Sequence, residues 1–192
     1  MSRPLVAGLV AEGEADEGFL GIVISRQLRE LTWMSPHAVD VEATEVVSCD
    51  REHMVTALEE LAADCHLLFT HDDERDRGKA GGKADGVRYH SHYLVPVIGL
   101  GETEAWMLAD PAVWAGLEGS DVSGLPVRPR DVERIVDPVG LLAATVPRRG
   151  KPIRDYFEYI GRNIDLAVLA QVPAYADWVA ETRNALKGLG YL

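Results

Sequence analysis

Leu5-Val6-Ala7-Gly8-Leu9-Val10-Ala11, followed at once by Glu12-Gly13-Glu14-Ala15-Asp16-Glu17, decides how the chain folds. The unbroken apolar run has the length and composition of a strand covered on both faces, as in a parallel sheet. An acidic stretch follows it with no small-residue cleavage pattern, so the run reads as a buried strand rather than the core of a signal peptide. Asp16 can cap a helix reaching to about Leu31. Phe19, Leu20, Val23, Ile24, Leu28 and Leu31 recur at three- and four-residue steps, interrupted by Gln27.

Outward from this strand–helix pair, the same alternation continues. Val39 to Val47 predicts a second strand, and Ser48 or Asp50 can cap a helix over Arg51 to Ala63. His66-Leu67-Leu68-Phe69-Thr70 reads as a third strand, running into the polar burst His71-Asp72-Asp73-Glu74-Arg75-Asp76-Arg77. A glycine- and lysine-rich loop spans Gly78 to Gly86. Tyr93 to Leu100 reads as a fourth strand, with Pro96 marking an edge or bulge. A helix over Glu102 to Ala109 stops at Asp110-Pro111. Beyond it, Asp131 to Thr145 reads as helical and interrupted by Pro138, and a last helix runs from Pro173 to Leu186. Strands alternating with helices imply an α/β fold, a layered and mainly parallel sheet with helices on both faces. Residues 1–110 form this core, and 111–192 a mainly helical extension of the same domain.

The chain has 192 residues, of which 47% are hydrophobic and 26% charged, enough to bury a core. No apolar run approaches the roughly 18–20 residues of a membrane span. Cys49 and Cys65 lack metal-type spacing, and a reduced cytoplasmic setting is the economical expectation. The net charge of -12 repels nucleic acid at long range, so contact with it requires a metal, a local basic patch or a partner.

Acids crowd two strand ends. Glu12 lies where the first strand stops, with Asp16 four residues on; Asp72, Asp73 and Glu74 follow the third strand. In layered parallel sheets, sites form at the carboxyl ends of strands. If the first and third strands are neighbours, the carboxylates converge. A pair about 4 Å apart then repels by roughly 4 kcal/mol at an effective dielectric near 20. A divalent cation removes that cost, and oxygen-only ligands suit Mg²⁺ or Mn²⁺. Spacing alone serves equally well for helix caps and a solvated strand end.

The segment Leu9-Val10-Ala11-Glu12-Gly13-Glu14-Ala15-Asp16-Glu17-Gly18-Phe19-Leu20 resembles the first motif of the Toprim domain, shared by topoisomerases, primases and the OLD (overcoming lysogenization defect) nucleases. In OLD-type members a strand leads into Glu-Gly, with an acid four residues after the Glu. Their second motif is a strand ending in Asp-x-Asp. Here His71-Asp72-Asp73 or Asp72-Asp73-Glu74 stands in its place, so His71 or Glu74 replaces one Asp. Glu102-Thr103-Glu104-Ala105-Trp106-Met107-Leu108-Ala109-Asp110 resembles a segment after the fourth strand in a group of uncharacterised bacterial Toprim-like proteins. The resemblance covers roughly residues 5–110 and implies a Toprim-like (Rossmann-like) fold.

By that resemblance, Glu12, Asp16, Asp72 and Asp73 hold one or two Mg²⁺ (or Mn²⁺) ions for phosphodiester cleavage or transfer, with Glu12 and Asp73 catalytic. Glu12 serves alternatively as a general acid or base. His71, Glu74 and Glu104 are additional candidates, and Arg75, Arg77, Lys79 and Lys83, with Arg88, candidates for holding phosphate. Weaker candidates are His90 and His92, Glu102, and the basic group Arg148-Arg149-Lys151-Arg154; Trp106, Trp114 and Trp178 read as core or interface anchors. OLD-type proteins join the Toprim domain to an ATPase, so the resemblance implies an ATPase partner on a separate chain and a role in anti-phage defence. A homodimer stays open. So do two other functions: a catalytically weak regulatory subunit, favoured by the altered Asp-x-Asp and the net charge, and a small-molecule phosphohydrolase.

Overall fold

Period-two alternation sorts the apolar run into two faces. In β2 (Ala7–Ala11), Ala7, Leu9 and Ala11 enter one hydrophobic cluster and Val10 enters another. With both faces covered, every position can be apolar. The computed structural model describes residues 2–13, 16–71, 93–97, 103–147 and 151–192.

β2 pairs in parallel with β4 (Glu45–Ser48) on one side and with β5 (Leu67–His71) on the other, and β6 (Tyr93–Val97) adds to β5, giving the order β4-β2-β5-β6. Among the described residues Pro96 therefore lies on an edge strand, where proline is tolerated. The crossover α1 (Gly21–Thr32) buries Val23, Ile24, Leu28 and Leu31 in the larger cluster. The next crossover, α2 (Met54–Ala62), buries Met54, Ala57, Leu58 and Leu61 in the smaller cluster on the opposite face. The chain thus steps outward from β2 to β4, then returns past β2 to β5. Between β2 and β5 the direction of winding reverses. Helix–sheet spacing is tight: a Cβ on Gly21 would lie 2.7 Å from Val46 Cγ2.

The second strand is broken where the sequence predicts continuity. β1 (Arg3–Leu5) pairs with β3 (Val39–Val41) as a separate two-stranded sheet. Between the pairs Leu5↔Val41 and Gly8↔Glu45, the two residues Val6 and Ala7 then face the three residues Glu42 to Thr44. The backbone groups freed at this offset find other partners, as buried peptide groups must. Val6 N donates to His66 Nδ1 at 3.0 Å, and Thr44 N donates to Ser25 Oγ at 2.9 Å.

Helix starts also differ from expectation. A π-helical turn, Asp16–Leu20, precedes α1, and α1's N-cap residue Leu20 makes no side-chain cap bond. A 3₁₀ turn at Arg51–His53 precedes α2, and neither Ser48 nor Asp50 caps it by its side chain; His53 N donates instead to the Asp50 carbonyl at 2.9 Å.

Among the described residues the remaining α-helices are α3 (Thr103–Met107), α4 (Pro111–Ala115), α5 (Pro138–Thr145), α6 (Ile153–Asn163), α7 (Leu166–Leu169) and α8 (Pro173–Gly188). Pro138 opens α5 rather than interrupting it, with Asp137 as a side-chain cap on Gly140 N. α6 is not among the elements expected from the sequence, although Tyr156, Phe157, Ile160 and Ile164 carry the helical spacing and are all buried. Trp106, Trp114 and Trp178 are 2%, 0% and 2% exposed, core residues as expected. Phe69 of β5, Trp106 of α3 and Tyr175 and Trp178 of α8 form one aromatic group with ring centroids 5.2–6.5 Å apart. The chain ends meet: Tyr191 Oη donates to the Pro4 carbonyl at 2.7 Å, and the Arg3 guanidinium lies 3.9 Å over the Tyr191 ring. Among the described residues no helix is long and apolar enough to cross a membrane.

Candidate functional site

Parallel pairing brings the carboxyl ends of β4, β2 and β5 to one edge. The last β2–β5 pair is Val10↔Thr70, and the last β2–β4 pair is Ala11↔Ser48. The first and third strands of the sequence reading are therefore neighbours, at the point where winding reverses. Such crevices are where open α/β sheets take ligands.

Glu12 leaves β2 at this edge, half-buried, in the bend that precedes the π turn. Beside it, Cys49 N donates to the Ala11 carbonyl at 3.0 Å. The Cys49 thiol is pushed up by burial first, then by the carboxylates of Asp50 and Glu12. Glu12, Cys49 and Asp50 thus share one electrostatic neighbourhood. From the sequence alone Asp50 is a candidate helix cap only, and Cys49 carries no site role. The signal that could have found them was the pairing of the first and second strands, which sets Cys49 next to Glu12.

His71 ends β5 with 2% of its surface exposed, and its Nε2 lies 3.2 Å from Thr103 Oγ1 at the start of α3. Its ring faces the core side of the sheet with Leu67 and Phe69. Glu104 follows Thr103 on α3 and is half-buried. Asp16 begins the π turn. Asp72, Asp73, Glu74, Arg75, Arg77, Lys79, Lys83, Arg88, His90, His92, Glu102, Arg148 and Arg149 lie outside the described residues. Among the described residues no group of three or more His, Cys, Asp or Glu side chains could hold a metal ion. The ligand set expected from the sequence joins Glu12 and Asp16 to Asp72 and Asp73, the last two of which lie outside the described residues.

The donor chemistry at the edge fits a hard cation. The carboxylates of Glu12 and Asp50 are oxygen donors, and burial first, then these carboxylates, pushes the Cys49 thiol up, away from the thiolate that soft metals bind.

A second feature adjoins this edge. The π turn and α1 line two adjoining depressions, opposed by α6 in the first and by Ala43, Thr44 and Val46 together with Arg162 of α6 in the second. One depression of about 400 Å³ is lined by Glu17, Gly18, Ile22, Arg154, Glu158 and Arg162. A second, of about 350 Å³, shares Glu17, Ile22 and Arg162 and adds Arg26, Arg29 and Thr44. Of these arginines the sequence reading raised only Arg154.

No family model matches the chain, and neither a curated protein nor a solved structure matches it.

Proposed function

We propose that the chain is a Toprim-like, divalent-cation-dependent domain that cleaves phosphodiesters, with Glu12, Asp16, Asp72 and Asp73 as the ligand set. One observation carries the reading. Glu12 emerges from β2, and Asp72-Asp73 directly follow β5 in sequence, while β2 and β5 are adjacent parallel strands at the reversal of winding. When bound there, Mg²⁺ or Mn²⁺ would polarise a phosphate oxygen and supply hydroxide near neutral pH. In this reading the Glu12 and Asp73 carboxylates orient the attacking water and accept its proton. Arg75, Arg77, Lys79 and Lys83 offset the net charge of -12 by binding phosphate. An ATPase on a separate chain, within an anti-phage system, is the partner this reading carries.

The test is cleavage of plasmid and of single-stranded DNA or RNA with Mg²⁺ and Mn²⁺, with and without an ATPase partner. Glu12→Ala and Asp73→Ala are expected to abolish it. Activity surviving both substitutions, or persisting in chelator, sinks the mechanism. Absence of cleavage under every condition, together with a stable ATPase complex, would favour the regulatory-subunit reading, which the altered Asp-x-Asp and the net charge support.

A further inference from the structure

The geometry points to a single-stranded nucleic-acid track along α1, with arginines of the α1–α6 groove gripping the phosphodiester backbone and Trp33 stacking a base. This deepens the phosphodiester reading of the acidic edge and rests on it.

The groove starts at Glu17, five residues beyond Glu12 in sequence. Ile22, Arg26, Arg29 and Trp33 continue along α1 at steps of four, three and four residues, which places them in one stripe. The stripe is flanked by Arg154 and Arg162 of α6. Four arginines line the two depressions against two glutamates, Glu17 and Glu158, so the groove is locally basic on an acidic protein. Arg26 Nη1 donates to the Gly161 carbonyl at 2.8 Å and Arg29 Nη2 to the Val41 carbonyl at 3.2 Å. These neutral acceptors orient the two guanidinium groups without cancelling their charge, and each guanidinium has five donors to give. Arg162 is paired with Glu158 at 2.9 Å. Glu30 also borders the stripe and weakens its field.

At the far end of the stripe, Trp33 is 84% exposed and Met34 86%, whereas the other three of the chain's four tryptophans are at most 2% exposed. An exposed indole beside a basic groove is the pairing that binds single strands: charge follows the backbone and the aromatic face takes any base. The 12 residues of α1 cover about 18 Å, the axial rise of about five nucleotides of one strand.

Binding of a fluorescein-labelled oligothymidylate, read by anisotropy in chelator at low salt, tests the track without cleavage. Trp33 fluorescence should be quenched by the oligonucleotide. Trp33→Ala is expected to weaken binding on the order of tenfold, and Arg29→Ala with Arg162→Ala by at least as much. The double arginine variant should also lower the slope of log affinity against log salt by about 1.4, from two lost contacts at about 0.7 each. Trp33→Ala removes an exposed side chain and guards against a folding artefact. Three results overturn the track: unaltered affinity in these variants, displacement of the oligonucleotide by inorganic phosphate at equal phosphate concentration, or burial of Trp33 in a concentration-dependent dimer. Absent binding with cleavage intact sinks the track alone. Groove-dependent binding with cleavage insensitive to Glu12→Ala upholds the track and sinks the catalytic reading.

Discussion

The Tyr175 hydroxyl donates a 2.7 Å hydrogen bond to Oε1 of Gln27, joining α8 to α1 inside the core. Gln27 is the polar residue that breaks the apolar stripe of α1, yet it is only 5% exposed. The Tyr175 phenol is pushed up by burial first and then by Glu30, with Arg26 opposing, so it remains a neutral donor. Tyr175→Phe should strand the buried amide and cost about 1–3 kcal/mol. Combining it with Gln27→Leu should cost less than the sum of the single changes, because both polar partners then disappear. Urea denaturation of the four proteins in this cycle measures it; strict additivity would refute the account.

Asp110 bears on stability in a similar way. Its carboxylate accepts Ala112 N at 3.0 Å, capping α4, and Asp165 N at 3.1 Å, fixing the start of α7. The residue is 6% exposed. Asp110→Ala leaves two backbone donors short of a partner and is expected to cost about 2–3 kcal/mol. Asp110→Asn keeps an acceptor and should cost less than half of that. Equal losses in the two variants, seen as equal shifts in denaturation midpoint, would contradict the assignment.

Glu12 and Asp50 can be read through the thiol beside them. Burial raises the Cys49 thiol most, Asp50 next and Glu12 least. In chelator, Asp50→Asn should therefore speed alkylation of Cys49 at pH 8 more than Glu12→Gln does, and both more than wild type, since the thiolate is the reacting form. Cys65 is 3% exposed and contributes little to the signal. The reverse order of rates, or no change in either variant, would separate Cys49 from the acidic edge.

The buried Cys65 predicts a pH dependence. Its thiol is raised from 9.0 to about 11, by burial first and then by Glu45 and Asp64. The unfolded chain releases this proton near 9 while the folded chain keeps it to about 11, so the unfolded state binds fewer protons in that window. The stabilisation is whole below pH 9, falls as pH rises from 9 to 11, and falls no further above that. Cys65→Ala should flatten this part of a stability–pH profile from thermal melts, whatever its effect at pH 7. A profile of unchanged slope between pH 9 and 10 would count against it.

The sequence determined the elements whose signal is local. The run Leu5 to Ala11 specified a strand covered on both faces, which holds for Ala7 to Ala11 but not for Leu5, which ends β1 in a separate sheet; the spacing of Val23, Ile24, Leu28 and Leu31 specified a helix lying on a core, and Pro96 an edge or bulge. These readings hold because side-chain period and the chemistry of proline act within a few residues. The acids after the first and third strands were also legible, but their convergence depended on strand order. Only tertiary structure set β2 against β5, brought Cys49 and Asp50 to Glu12, and placed Arg26 against Gly161, 135 residues away. It alone explains Gln27 and His66, polar side chains whose partners, Tyr175 and the Val6 amide, lie 148 and 60 residues off. A buried polar group must be satisfied by whatever packing brings near it, and packing is a property of the whole chain that no local window of sequence contains.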